Sequence, residues 1–159
     1  MTTKSNSSQR SITVWDLATR IFHWSFAAMV IIAFASQDAD GSAFWIHVYS
    51  GTALVGFVVF RLGWGIIGSR YGLLADFGHG PARVSDYAAR LFSFRAPYTP
   101  GHNPLGGWMV IALLAVVALA SLTGMTVSDD GYVGPLNHLG DMEDLHEGLG
   151  TFVMMLVGA

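Results

Sequence analysis

Three runs of about twenty apolar residues, each almost free of charge, decide what this chain of 159 residues can fold into. They extend from about Leu17 to Ser36, from about Ala43 to Ile67 and from about Pro104 to Val127. A helix of about 20 apolar residues spans the hydrocarbon core of a bilayer. Only 12% of the residues are charged, whereas soluble domains have roughly 25%. The composition therefore predicts an all-α protein built from transmembrane helices.

A fourth apolar segment runs from Leu145 to Ala159. As a helix it reaches only about 22 Å, which is short of the ~30 Å of the bilayer core. No aromatic or basic anchor closes its far end. We therefore expect a transmembrane four-helix bundle whose fourth helix is truncated and continues in the natural protein. The expected domains are a polar arm at 1–13 and a single bundle at 14–159, with spans at about 17–36, 43–67, 104–127 and 145–159.

The distribution of charge predicts the orientation of the helices. Basic residues lie before and inside the first span, or between the end of the second span and residue 95; they are Lys4, Arg10, Arg20, Arg61, Arg70, Arg83, Arg90 and Arg95. The other two connections carry only acidic charges. The positive-inside rule places the N-terminus and the 68–103 loop in the cytoplasm. Within that loop, residues 81–94 fit either a short helix on the membrane surface or a solvated connector.

The absence of cysteine excludes disulfides, iron–sulfur clusters and thiolate ligands, so a bound metal must use other side chains. The net charge of −3 gives no reason to expect a nucleic-acid partner. Histidine is then the most informative residue type. Three histidines fall in connections, where solvation or local hydrogen bonding is expected: His79, His102 and His138. Three lie within about two turns of the start of an apolar span, where an ionisable side chain is costly and usually faces the bundle interior: His23, His47 and His146.

Two of these histidines are expected to lie at the same depth in the membrane. The second and fourth spans both enter from the outer side, so His47 and His146 lie at the same depth. Two neutral imidazoles on different helices of a bundle can ligate one haem iron from both faces. Gly51 and Gly150 each follow a histidine by four residues, on the same helix face, and leave room for a flat macrocycle. Ordinary small-residue packing of helices explains these glycines equally well.

His23 lies about two turns into a span that enters from the cytoplasmic side, so it needs a different partner. A residue four helical turns after His146, about 14 positions on, shares that histidine's face. This position falls just past Ala159, so we expect the ligand opposite His23 to lie beyond that residue in the natural protein.

Several motifs, taken in order, resemble the bacterial cytochrome b561 and nickel–iron hydrogenase b-type cytochrome family. The resemblance covers about Val14 to Ala159, and its segments are VWDLATRIFHW, HVYSGTALVGFVVFRLGWGIIG, HNPLGGWMVIALL and LHEGLG. It implies a bundle with two b haems stacked across the bilayer. The implied axial ligands are His23, His47 and His146, which make one complete bis-histidine site, between His47 and His146. Arg20 and Arg61 lie at the cytoplasmic edge, where a guanidinium pairs either with haem propionates or with lipid headgroups.

The resemblance implies a multi-pass protein of the bacterial inner membrane that carries electrons between a redox partner and the quinone pool. The implied partners are membrane lipid, quinone, and a hydrogenase, dehydrogenase or c-type cytochrome. An electron-transfer subunit without catalytic residues of its own is favoured over a stand-alone enzyme. Two alternatives stay open: a self-contained oxidoreductase passing electrons from a small reductant such as superoxide to quinone, and a haem-free four-helix channel or assembly protein.

Overall fold

The computed structural model describes residues 16–68, 73–74, 77–97, 99, 102–129 and 131–158. The predicted arm at 1–13 and Ala159 lie outside these residues. Helices dominate the described ranges: α1 at Leu17–Ala35, α2 at Phe44–Ile67, α3 at Pro81–Phe92, α4 at Pro104–Gly124 and α5 at Glu143–Val157. Helices α1 and α4, together with Gly41–Ile67, are long and apolar enough to cross a membrane. The predicted all-α membrane bundle is thereby confirmed.

Polar residues mark where the long helices begin and end. Asp16 caps α1 by accepting a hydrogen bond from the Thr19 N–H at 2.6 Å, as expected for a short acidic side chain at this position. Asn103 caps α4 in the same way, and Pro104 occupies the first turn. The end of α4 at Gly124 comes three residues before the expected Val127. There the Thr126 hydroxyl donates to the Thr123 carbonyl at 2.7 Å and holds the chain in a turn.

Four helices share one apolar core. Helix α1 packs on α2, α2 on α4, and α4 on α5. The buried side chains that form the core come from all four: Val30, Leu54, Val58, Leu114, Val117 and Val153. Helices α1 and α2 run antiparallel. The Trp64 indole near the end of α2 donates to the Asp16 carboxylate at the start of α1, at 3.3 Å. One end of the bundle therefore holds the end of α1 and the start of α2.

The connections differ at the two ends of the bundle. Between α4 and α5, two short antiparallel strands, β1 at Ser128–Asp129 and β2 at Tyr132–Val133, form a hairpin. The Tyr132 ring packs on the aromatic rings at the start of α2. The other long connection contains α3, which packs against α4 and buries Tyr87. Of the two possibilities for residues 81–94, a helix is found over 81–92; its position on a membrane surface stays a prediction.

Candidate cofactor site

Two of the three span histidines meet at one end of the bundle. His47 lies in the first turn of α2 and His146 in the first turn of α5. The centroids of their imidazole rings are 5.7 Å apart, and the ring planes cross at 78°. Both residues are partly buried. The sequence placed these two histidines at a common depth, and the structure brings them into contact range across two helices.

Each imidazole is hydrogen-bonded to a backbone carbonyl of a neighbouring helix, His47 to α1 and His146 to α4. His47 Nδ1 lies 2.8 Å from the carbonyl oxygen of Ala33, in the last turn of α1. His146 Nδ1 lies 2.8 Å from the carbonyl oxygen of Ala120 on α4. A carbonyl oxygen only accepts, so Nδ1 must carry the proton and donate it. In each neutral ring Nε2 then keeps its lone pair and is available as a metal ligand.

A hydroxyl group also lies near each of these two carbonyls. The Ser36 Oγ donates to the Ile32 carbonyl at 2.7 Å and lies 3.3 Å from that of Ala33, and the Thr123 Oγ1 is shared between the Leu119 and Ala120 carbonyls at 2.9 and 3.0 Å. Both hydroxyls are three residues after the alanine whose carbonyl they approach. Sequence reasoning missed the role of Ala33 and Ala120, because a backbone carbonyl has no residue-type signature. The available signal was a Ser or Thr at the end of an apolar span.

The donor set fits haem better than a bare metal ion. Across the described ranges, no group of three or more His, Asp or Glu side chains could hold a metal ion. Two imidazoles alone do not complete the coordination of a metal ion, whereas haem would supply the remaining ligands from its own ring.

Open space lies beside both histidines. A Cβ atom built at Gly51 or at Gly150 meets nothing within 4 Å. These are the two glycines for which the sequence predicted room for a macrocycle. The observation is consistent with that prediction, whereas a tight helix contact would have favoured the packing explanation.

The opposite end of the bundle contains the third span histidine and a buried arginine. His23 is exposed on α1, and its ring contacts that of Trp24. Arg61 on α2 is only 4% exposed, and its guanidinium lies 5.2 Å from the centroid of the Phe77 ring. Among the described residues, the Arg61 Nη1 has no hydrogen-bond partner. Arg20 is exposed. A buried cation with an open donor is a candidate anion-binding group.

The histidines of the connections have different environments. His79 makes a local contact from Nδ1 to the Phe77 carbonyl at 3.2 Å, and His138 is exposed. His102 is partly buried, with its ring centroid 4.6 Å from that of Phe77. Burial lowers the pKa of His102 from 6.5, and the positive charges of Arg61 and His23 lower it further. His102 is therefore packed into the same end of the bundle as Arg61.

The lowered pKa of His102 predicts a dependence of stability on pH. The folded protein favours neutral His102, so the unfolded chain binds the additional proton, and stability falls as the pH drops through about 6.5. We expect thermal unfolding of the haem-free protein in detergent to show a smaller loss between pH 8 and pH 5 for His102→Gln than for the wild type. His138→Gln is the matched exposed control. Equal pH dependence in all three proteins would contradict the assignment.

The apolar bundle and the two imidazoles that face each other across its helices define the class as a helical membrane protein with a candidate cofactor site. Residues 14–159 match the sequence profile of the family described as prokaryotic cytochrome b561. The chain belongs to this family, so it is a multi-pass membrane b-type cytochrome that takes part in electron transfer and binds haem b. Comparison with curated proteins and with solved structures gave no match.

Proposed function

We propose that this protein carries electrons across the bacterial inner membrane between a redox partner and the quinone pool, using a haem b held by His47 and His146. The observation that supports it most directly is the pair of Nδ1–carbonyl contacts at 2.8 Å. Such contacts orient the imidazole and raise its basicity as a metal ligand. With Nδ1 of both rings engaged and the ring centroids 5.7 Å apart, the two Nε2 lone pairs are available for a shared ligand.

The residues of the site account for electron transfer rather than oxygen chemistry. When bound, haem supplies the one-electron chemistry. His47 and His146 would hold the haem iron from two helices, and a haem with two imidazole ligands would have no open position for oxygen. The Ala33 and Ala120 carbonyls hold the two rings in place. The site therefore favours electron exchange with little rearrangement.

A second haem at the opposite end is part of the proposal. His23 is the candidate ligand there, and the ligand opposite it is not among the residues described. Arg61 is the candidate partner for a haem propionate, since its burial and open Nη1 do not suit an anchor in the headgroup region. The exposed Arg20 suits either role.

The proposed orientation has the N-terminus in the cytoplasm. Arg83, Arg90 and Arg95 are exposed in the connection at the Arg61 end. Asp141, Glu143 and Asp144 are exposed in the connection at the His146 end. This separation of charge supports the positive-inside assignment. The redox partner is proposed to be a hydrogenase, a dehydrogenase or a c-type cytochrome.

Haem content is the first test of the proposed function. The protein, expressed with an adequate haem supply and purified in detergent, is expected to show the reduced-minus-oxidised spectrum of a low-spin b haem at about one haem per chain or more. Added quinone is expected to reoxidise the reduced protein. A folded helical protein without any haem absorbance would contradict the proposal and favour the haem-free channel or assembly protein. A haem protein that quinone does not reoxidise would exclude only the quinone partner.

A further inference from the structure

Gly124, the last residue of α4, lies against the His146 imidazole. A Cβ atom built at this position would be 2.8 Å from Cε1, 3.0 Å from Nδ1 and 3.3 Å from Nε2 of that ring. Carbon atoms in folded proteins do not approach this closely, so any side chain at position 124 must displace the imidazole. Gly51 and Gly150, which the sequence singled out, have no such contact.

The same ring is bonded to α4 one turn before this glycine. His146 Nδ1 lies 2.8 Å from the Ala120 carbonyl, and residues 120 and 124 share a face because they are four positions apart. The ring reaches the carbonyl across the position where the side chain of residue 124 would stand. The close approach and the hydrogen bond therefore depend on each other.

We propose that Gly124 is a positioning residue for the haem ligand His146. The missing side chain admits the imidazole to the Ala120 carbonyl, and this contact keeps the proton on Nδ1 and the lone pair on Nε2. The effect on haem rests on the proposed bis-histidine site, whereas the effect on the tautomer does not. Thr123 is buried beside Gly124, and its hydroxyl bonds the same carbonyl, so the acceptor is fixed from within α4 as well.

The proposal predicts an unusual result for Gly124→Ala. Replacing a helical glycine by alanine ordinarily stabilises a helix, because the unfolded chain loses conformational freedom. Here the imidazole must move off the Ala120 carbonyl. Loss of such an outer contact typically reduces the affinity of a metal site by about 10–100-fold. The midpoint potential of the haem is expected to rise, since a less basic imidazole stabilises ferric iron less.

The test compares the wild type with Gly124→Ala and with Gly148→Ala. Gly148 lies on α5 two residues after His146, is exposed, and its added Cβ meets nothing within 4 Å. Haem affinity and midpoint potential are measured by titration. Nitrogen-15 NMR of histidine-labelled, haem-free protein reports which nitrogen of His146 carries the proton. We expect the Nδ1–H form in the wild type and in Gly148→Ala, and a mixture of tautomers in Gly124→Ala.

The outcomes separate this inference from the proposed function. If the wild type binds no haem, the proposed function fails, and the NMR tautomer still decides the role of Gly124. If Gly124→Ala keeps the Nδ1–H tautomer, and its haem affinity and potential equal those of Gly148→Ala, the positioning role is wrong. If Gly124→Ala loses helix content, Thr123→Val, which removes only the hydroxyl bonded to Ala120, provides the second variant. That variant must then shift the potential for the inference to stand.

Discussion

Replacement of His47 by alanine is expected to eliminate the low-spin haem that we propose to lie between α2 and α5. His47 and His146 are the two imidazoles that face each other between the helices at that end of the described structure, with ring centroids 5.7 Å apart. Loss of one axial ligand removes a metal–nitrogen bond outright rather than weakening it. The effect should therefore exceed the ~10–100-fold typical of outer contacts. Haem per chain and the spin state of the ferric protein are the measurements.

Two other histidines provide the controls for this prediction. His138→Ala, in an exposed turn of the connection before α5, is expected to leave the spectrum unchanged. His23→Ala is expected to leave the haem proposed at the His47 end in place, because His23 lies in the half of α1 at the opposite end of the bundle. A low-spin spectrum of normal intensity in His47→Ala would contradict the assigned ligand pair. Loss of the same haem in His23→Ala would show that the depths of the histidines are wrong.

The sequence was sufficient to predict the membrane-spanning helices, whose bounds depend on the exclusion of water. Apolar runs of bilayer length predicted α1, α2 and α4 to within a few residues, because water-excluded backbone must form its hydrogen bonds within the helix. The end of α4 was predicted three residues too late, since Met125, Thr126 and Val127 are compatible with an apolar run. There the chain leaves the helix because Leu136 donates to the Met125 carbonyl at 2.9 Å, a contact distant in sequence.

Part of the candidate site could also be predicted from the sequence, and part depends on how the helices pack. Counting helix entries from alternate sides of the membrane predicted that His47 and His146 share a depth, and this needs no knowledge of packing. The acceptors Ala33 and Ala120 and the constraint at Gly124 depend on how α1 and α4 rotate against their neighbours. The packing of side chains such as Val30 and Val117 fixes that rotation, so the sequence of one helix alone does not predict it. Gly51 and Gly150, which were chosen from spacing alone, lie beside open space, and their spacing gave no indication of the close contact at Gly124.

Arg61 illustrates a residue whose position costs stability. A charged side chain near the end of a membrane helix normally extends to the headgroups, yet Arg61 is 4% exposed. The Phe77 ring at 5.2 Å and the attraction of Asp16 compensate it in part. A cation–π contact contributes about 2 kcal/mol when desolvated, whereas burying an ion costs several kcal/mol. The open Nη1 donor adds to that cost. An anionic ligand such as a haem propionate offsets it.

Arg61→Met is therefore expected to have opposite effects on the haem-free and the haem-loaded protein. Without haem, the apolar side chain of similar length removes a buried ion, and the free energy of unfolding should rise by about 1–3 kcal/mol. With haem, the variant lacks a charge-assisted hydrogen bond of about 1.5–3 kcal/mol. Haem affinity at the His23 end should then fall by roughly 10–100-fold. Thermal unfolding and haem titration measure the two effects. The exposed Arg20→Met is the control and should shift the free energy of unfolding by less than about 0.5 kcal/mol.

One outcome would contradict this role of Arg61. If haem-free Arg61→Met is less stable than the wild type and its haem affinity is unchanged, Arg61 serves to stabilise the fold through its contact with Phe77 and does not bind haem.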